Sequence, residues 1–150
     1  QYDVMLGRSS RWLTLAGYRA FSGVPGHSIN DPQVLQEVAH EFRLYESALC
    51  NNDVKALDRF FFDNPSTVRF GTSENLYGYE AIQAFRQGRS PPGDRRILKS
   101  VITTYGPDFA VANVEFQRDG SSKIGRQSQT WLRTSEGWKV VSAHVSMMEK

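Results

Sequence analysis

Residues 95–148 read RRILKSVITTYGPDFAVANVEFQRDGSSKIGRQSQTWLRTSEGWKVVSAHVSMM, and this C-terminal third sets the architecture. Ile97 to Tyr105 is rich in β-branched residues and ends in Gly106-Pro107, a strand followed by a breaker. Phe109 to Gln117 follows and stops at Asp119-Gly120, a good hairpin turn. Ile124 to Arg133 turns at Ser135-Glu136-Gly137, and Trp138 to Met148 closes the chain. Four consecutive long strands joined by tight turns make an antiparallel meander. Strands of this length must twist and curl, so one face becomes concave.

Helices precede the meander. Asn30 or Asp31 can cap a helix with Pro32 in its first turn, and Val34, Val38, Phe42, Tyr45 and Leu49 recur at spacings of three and four. Asn51-Asn52 ends it. Asp53 caps a second helix, with Val54, Leu57 and Phe60-Phe61 on its apolar side. A third runs from about Tyr79 to Gln87, with Ala81, Ile82 and Phe85 facing inward and Gly88 after it. Between the second and third lies a short alternating strand, Thr67-Val68-Arg69-Phe70-Gly71. The predicted fold is α+β: a cone-shaped, curved antiparallel sheet with the N-terminal helices packed on its concave face. A helix laid across a concave sheet leaves a pocket near one end, where small ligands bind.

Composition narrows the function. The chain has 150 residues, is 39% hydrophobic and 12% aromatic, and so can build one real core. Residues 1–30 contain Arg8, Arg11 and Arg19 against Asp3, while residues 31–150 balance to zero net charge. This first segment, broken by glycines, reads as an extension; Trp12, Leu13, Leu15, Tyr18 and Phe21 could dock as a short helix. The domain proper is expected over 31–150. The balanced body argues against nucleic acid, and the one basic cluster, Arg86, Arg89, Arg95, Arg96 and Lys99, surrounds the Pro91-Pro92-Gly93 loop. No uncharged stretch is long enough to cross a membrane. The single cysteine, Cys50, leaves no internal disulfide and points to a reducing, cytoplasmic setting. No nucleotide-binding, P-loop or nucleophile-elbow motif occurs, and His27, His40 and His144 lack metal-ligand spacing, so no cofactor is expected.

Three positions could carry chemistry. Tyr45 sits in the apolar stripe of the first helix, so its ring points inward. Its hydroxyl is then tied to backbone or offered to the cavity. Arg69 faces opposite to Val68 and Phe70, toward solvent or, if both faces are covered, toward an anion. No acid lies in its own strand, so a substrate carboxylate is a natural partner. Strand parity groups Ser142, His144 and Ser146, a polar set that could line a cavity wall or hold a structural histidine. The neighbouring run Arg126-Gln127-Ser128-Gln129-Thr130 offers polar groups of either parity. An isomerase would need an inward carboxylate as base, and Glu46 and Glu115, the candidates near the right elements, occupy no clear inward position.

A set of motifs then resembles a known family. Phe42-Arg43-Leu44-Tyr45-Glu46-Ser47-Ala48-Leu49, Asn52-Asp53, Thr67-Val68-Arg69-Phe70-Gly71 and Glu74-Asn75-Leu76-Tyr77-Gly78 belong to it. So do Ala81-Ile82, Thr103-Thr104-Tyr105-Gly106, Gly125-Arg126-Gln127-Ser128-Gln129-Thr130-Trp131 and Ala143-His144-Val145-Ser146. Together they resemble the AtzH-like family, small proteins encoded beside amidases of oxalurate and s-triazine (cyanuric acid) breakdown, with the nuclear-transport-factor-2-like, cystatin-like cone. The resemblance implies a cofactor-free enzyme acting on a small anionic ureido substrate, of the 1,3-dicarboxyurea or oxalurate type. It implies Tyr45 and Arg69 as the catalytic pair. Substrate-binding candidates are His144, Ser146, Gln129, Arg126 and Asn75. The alternative is a non-catalytic binding or dimerisation module that partners an amidase. A homodimer through the convex sheet face is expected, since that face is expected to carry Val, Ile, Trp and Phe.

Overall fold

The computed structural model describes residues 28–149. The helix expected among residues 12–21 lies outside the described residues. Three helices and six strands follow in order: α1 (Pro32–Cys50), α2 (Val54–Phe60), β1 (Val68–Phe70), β2 (Asn75–Tyr77), α3 (Tyr79–Gly88), β3 (Arg95–Tyr105), β4 (Phe109–Arg118), β5 (Ile124–Thr134) and β6 (Gly137–Met148). The helix-then-meander order is the one expected. Asp31, not Asn30, caps α1, accepting from the backbone N–H groups of Gln33 and Val34 at 3.0 and 3.2 Å. Asn30 instead takes a positive φ of 56° and accepts from the Thr104 amide, tying the chain before α1 to β3. Asp31→Ala should therefore cost about 1 kcal/mol, read as a lower urea midpoint at unchanged slope. Asn52, at φ 51°, breaks the chain after α1, and Asp53 restarts it by accepting from Ala56 N–H at 2.9 Å.

The sheet departs from expectation in two ways. It is mixed, in the order β2-β1-β6-β5-β4-β3, because β1 runs parallel to β6. The α2–β1 connection enforces this direction: Phe61 already bridges Val140 in parallel, and Phe62 N–H donates to the Val140 carbonyl at 3.0 Å. The stretch Asn75–Tyr77 is a strand, closing a small hairpin with β1. Three residues carry too little alternation to announce a strand.

The helix layer covers the concave face. Val38, Phe42, Tyr45 and Leu49 of α1 and Leu57 of α2 join Ile102, Ala110, Ala112, Val114, Trp131, Trp138 and Val140 in one core. Both tryptophans thus face inward, which corrects the expectation of a tryptophan-bearing convex face. Their indole area is too large to leave wet when a helix stands opposite. No helix among the described residues is long and apolar enough to cross a membrane.

Two irregularities set which residues face the helices. The register shifts between Ile97 and Lys99, and again where Thr130 pairs Ser142 while Trp131 pairs Val140. The extra residue, Val141, reverses parity along β6. Trp138 and Val140 point in before it, and Ala143 points in after it.

Candidate functional site

A cavity of about 250 Å³ opens at one end of the cone. Tyr45 reaches it from α1, Arg69 from β1, Arg86 and Arg89 from the end of α3, Arg95 and Arg118 from the paired ends of β3 and β4, and Gln127 from β5. Ala143 and Val145 form its apolar floor. The two residues proposed as a catalytic pair are thus brought to one chamber from positions 24 apart in the chain.

Tyr45 is 5% exposed and wedged edge-on against Phe60 and Trp131, with ring centroids 5.9 and 6.3 Å away. The ring is fixed by packing on three sides, since Phe61 lies at 6.4 Å. Among the described residues no side-chain hydrogen bond involves its hydroxyl, so the phenol is free to serve a ligand in the cavity.

Arg69 already has a carboxylate. Its Nη1 donates to Glu74 Oε1 at 2.6 Å, and its guanidinium lies 5.4 Å from the Phe85 ring centre. The expectation that its strand offers no acid holds, but the β1–β2 turn brings one in from five residues away. Ser73 N–H and Oγ also donate to Glu74. Gly71 makes room for this arrangement: a Cβ there would collide with the Glu74 carboxylate. Burial pushes the Glu74 carboxyl up, while the hydrogen bond and charge of Arg69, with Ser73, more than offset it and hold it below its ordinary 4.5. A carboxyl depressed in the folded state stabilises the fold above about pH 4.5, and that stability is lost as pH falls through the folded-state value. Glu74→Gln should flatten the fall of the urea midpoint between neutral and acidic pH; an unchanged slope would show the pair contributes nothing.

Two more guanidiniums are neutralised by long-range partners. Arg86 donates to Asp58 Oδ1 at 3.1 Å and lies 4.1 Å from the Phe61 ring centre. Arg95 forms a fork with Glu46, stacks at 4.4 Å on Phe116, and donates to Gln127 Oε1 at 3.2 Å. Gly125 leaves the space that the Phe116 ring fills. Arg118 donates to the Pro92 carbonyl. No carboxylate among the described residues pairs with Arg89 or Arg118. Five guanidiniums therefore meet three carboxylates, a surplus of two positive charges around one chamber. Burial lowers the pKa of Arg86, Arg89 and Arg118, and neighbouring arginines add to it for each: Arg69 on Arg86, Arg69 and Arg86 on Arg89, and Arg95 on Arg118. The guanidiniums stay charged and repel one another, which favours an anion between them.

The other predicted residues lie elsewhere. His144 and Ser146 sit on the outer face, where His144 packs edge-on with Phe70 at 5.8 Å. Parity grouped this polar set correctly, but water, not the cavity, takes its side. Arg126 is exposed on the same face, opposite Ser146. Asn75 is exposed on β2. Gln129 faces inward but is buried in the core, accepting from Trp131 Nε1 at 3.3 Å, and does not line the cavity. Residue patterns did not assign Arg86, Arg89, Arg95, Arg118 or Glu74 to the site, and left Gln127 in a polar run of open parity; the structure turns it to the cavity. A signal existed for two: Arg86 lies four residues after inward Ile82, and Arg95 two before Ile97. The basic cluster around the Pro91-Pro92-Gly93 loop sends three of its arginines, Arg86, Arg89 and Arg95, into the cavity.

A curved sheet capped by helices, with a ligand-sized hollow between the layers, defines the nuclear-transport-factor-2-like, cystatin-like class. A protein family model described as AtzH-like matches residues 27–150. The chain belongs to the AtzH-like family. A protein of unknown function from Pectobacterium atrosepticum is 53% identical over 81% of this chain and 95% of its own, with a TM-score of 0.79. A cystatin-like fold protein from Burkholderia xenovorans is 42% identical over 83% of this chain and 99% of its own, with a TM-score of 0.81. A nuclear-transport-factor-2-like superfamily protein from Salmonella enterica serovar Typhimurium, 23% identical over 79% of this chain and 93% of its own, shares the fold at a TM-score of 0.64. Among curated proteins, none matches the chain.

Proposed function

We propose that the protein is a small cofactor-free enzyme that binds a carboxylated urea or related ureido anion in the arginine-lined cavity and decarboxylates or hydrolyses it. The observation that carries this reading is the convergence of Tyr45 and Arg69 on one chamber whose guanidiniums outnumber its carboxylates. Arg69 exchanges part of its bond with Glu74 for a substrate carboxylate, which it can grip through two N–H groups. In an N-carboxylated urea the bond between nitrogen and the carboxylate carbon breaks, carbon dioxide leaves, and the electron pair stays on nitrogen. The Tyr45 hydroxyl donates the proton that nitrogen takes up and regains one from solvent. The packed aromatic wall of Phe60, Phe61 and Trp131 keeps that phenol in place.

The test follows carbon dioxide, ammonia and oxalate released from 1,3-dicarboxyurea and oxalurate. Tyr45→Phe should lower kcat by about 100-fold, with little change in KM. Turnover equal to wild type in this variant would remove Tyr45 from the mechanism.

One observation favours a second reading, a non-catalytic ligand-binding or dimerisation module that partners an amidase: Arg69 is already satisfied by Glu74. Co-purification with an amidase and no turnover of any ureido acid would select it. Under both readings we place the protein in the cytoplasm as a homodimer joined through the outer sheet face. The rings of Tyr105 and Phe109 pack there at a tilt, their centroids 6.1 Å apart, while 48% and 39% exposed, beside half-buried Val101 and Val111. Light scattering at micromolar protein should give twice the chain mass, and a monomer mass would refute this contact.

A further inference from the structure

Tyr45 and Arg86 share one wall of the chamber. Both pack on the Phe61 ring, whose centre is 6.4 Å from the Tyr45 centroid and 4.1 Å from Arg86 Cζ. Asp58 holds Arg86 through Nη1 at 3.1 Å. The Nε and Nη2 of Arg86 have no partner among the described residues, nor has the Tyr45 hydroxyl, and none of these atoms is sealed off from the chamber both residues line. Burial is the largest influence on Arg86 and lowers its pKa; among the charges that offset burial, the Tyr45 oxygen outweighs even Asp58. Coulomb attraction falls with distance, so the phenol oxygen stands close to this guanidinium. Arg89 feels the same oxygen, after Arg69 and Arg86, and Arg118 does not. The end of α3 therefore lies at the phenol, and the end of β4 lies beyond it.

We propose that Arg86 is a positioning residue that acts through Tyr45, stabilising the negative charge that the phenol oxygen carries once its proton has left. The inference rests on the reading of Tyr45 as proton donor and adds what lets a phenol do so in an aromatic wall. Cleavage moves the phenol proton to the departing nitrogen and leaves one negative charge on the Tyr45 oxygen until solvent returns a proton. Phe60 and Phe61 offer that charge no hydrogen bond, and Trp131 Nε1 is committed to Gln129. Without a counter-charge, burial disfavours the phenolate. Arg86 supplies one, fixed from behind by Asp58 and Phe61. The other charges around the chamber are Arg69 with Glu74, Arg95 with Glu46, and Arg89 and Arg118, which have no carboxylate partner. From β5 only the uncharged Gln127 lines it.

The experiment uses the whole chain with Asp58→Ala and Arg86→Met together, which removes one charge of each sign and leaves the positive surplus of the chamber unchanged. Thermal melting confirms that the variants fold. The phenol is followed by the near-ultraviolet absorbance of phenolate as pH rises, each protein being read against the same protein carrying Tyr45→Phe. In the double variant this absorbance step should lie about one pH unit or more above that of wild type. Arg86→Lys keeps a positive charge beside Asp58 and should hold the step nearer wild type. Arg118→Gln lowers the surplus by one but lies beyond the phenol, and should move the step far less. With carboxylated ureas, the double variant should lose about tenfold or more in kcat while KM stays within about threefold. A step at the wild-type pH in the double variant, or one moved as far by Arg118→Gln, overturns the inference. If wild type turns over no ureido acid while the step moves as expected, the catalytic reading falls and the coupling of Arg86 to the phenol stands.

Discussion

Replacing Arg69 with alanine should lower kcat/KM for carboxylated ureas by at least about 100-fold, the size expected when a guanidinium that grips a carboxylate is deleted from a desolvated site. Two effects act together. The cavity loses a guanidinium that lines it together with Tyr45, and its positive surplus falls by one. Glu74 loses the partner that holds its carboxyl below the ordinary range, so burial then pushes it upward. A free Glu74 carboxylate in the cavity would also repel an anionic substrate. Arg69→Lys keeps the charge but not the fork, and should recover only part of the loss. The variant should melt near wild type, because Arg69 contacts a turn and the rim residue Phe85, not the core. Wild-type turnover in Arg69→Ala would remove the proposed site.

The largest loss of stability is expected at Asp58. Its two oxygens accept from Arg86 at 3.1 Å and from Gln83 at 3.2 Å. Arg86 is 3% exposed, so Asp58→Ala strands a charge that water cannot reach. Breaking one side of a buried pair costs about 3–5 kcal/mol, which for a chain of this size should lower Tm by about 10 °C or more. The stacking of Arg86 on Phe61 gives no compensation, since it leaves the N–H groups unpaired. The double variant Asp58→Ala with Arg86→Met should regain much of the loss, because an apolar side chain of similar length needs no counter-charge. An unchanged melting temperature in Asp58→Ala would show that Arg86 is solvated and that the chamber is wetter than its geometry indicates.

These two arginines mark how far residue patterns reach. Arg69 was legible because it alternates within a short strand. Its neutralisation by Glu74 was not, since that contact needs the tight β1–β2 turn and the missing side chain at Gly71. Arg86 and Arg95 stood within the one basic cluster of the chain, and their partners stand 28 and 49 residues away. The parity of β6 sorted Ala143 and Val145 from His144 and Ser146 correctly, yet the cavity side went to the apolar pair. A polar strand face is equally at home against water or a ligand, and only the position of the covering helices distinguishes the two.

From the residues alone came the identity and order of the helices and long strands, the curvature of the sheet, the inward set of α1 with Tyr45 in it, and the family resemblance. All of these rest on local periods of 3.6 and 2, on caps and turns, or on motifs quoted in place. Only the tertiary structure decided the parallel seat of β1 beside β6, the outward turn of His144, and the gathering of five arginines around one hollow. Those depend on the bulge at Val141, on which strand edge lay open, and on ion pairs that close only once the helices lie across the sheet.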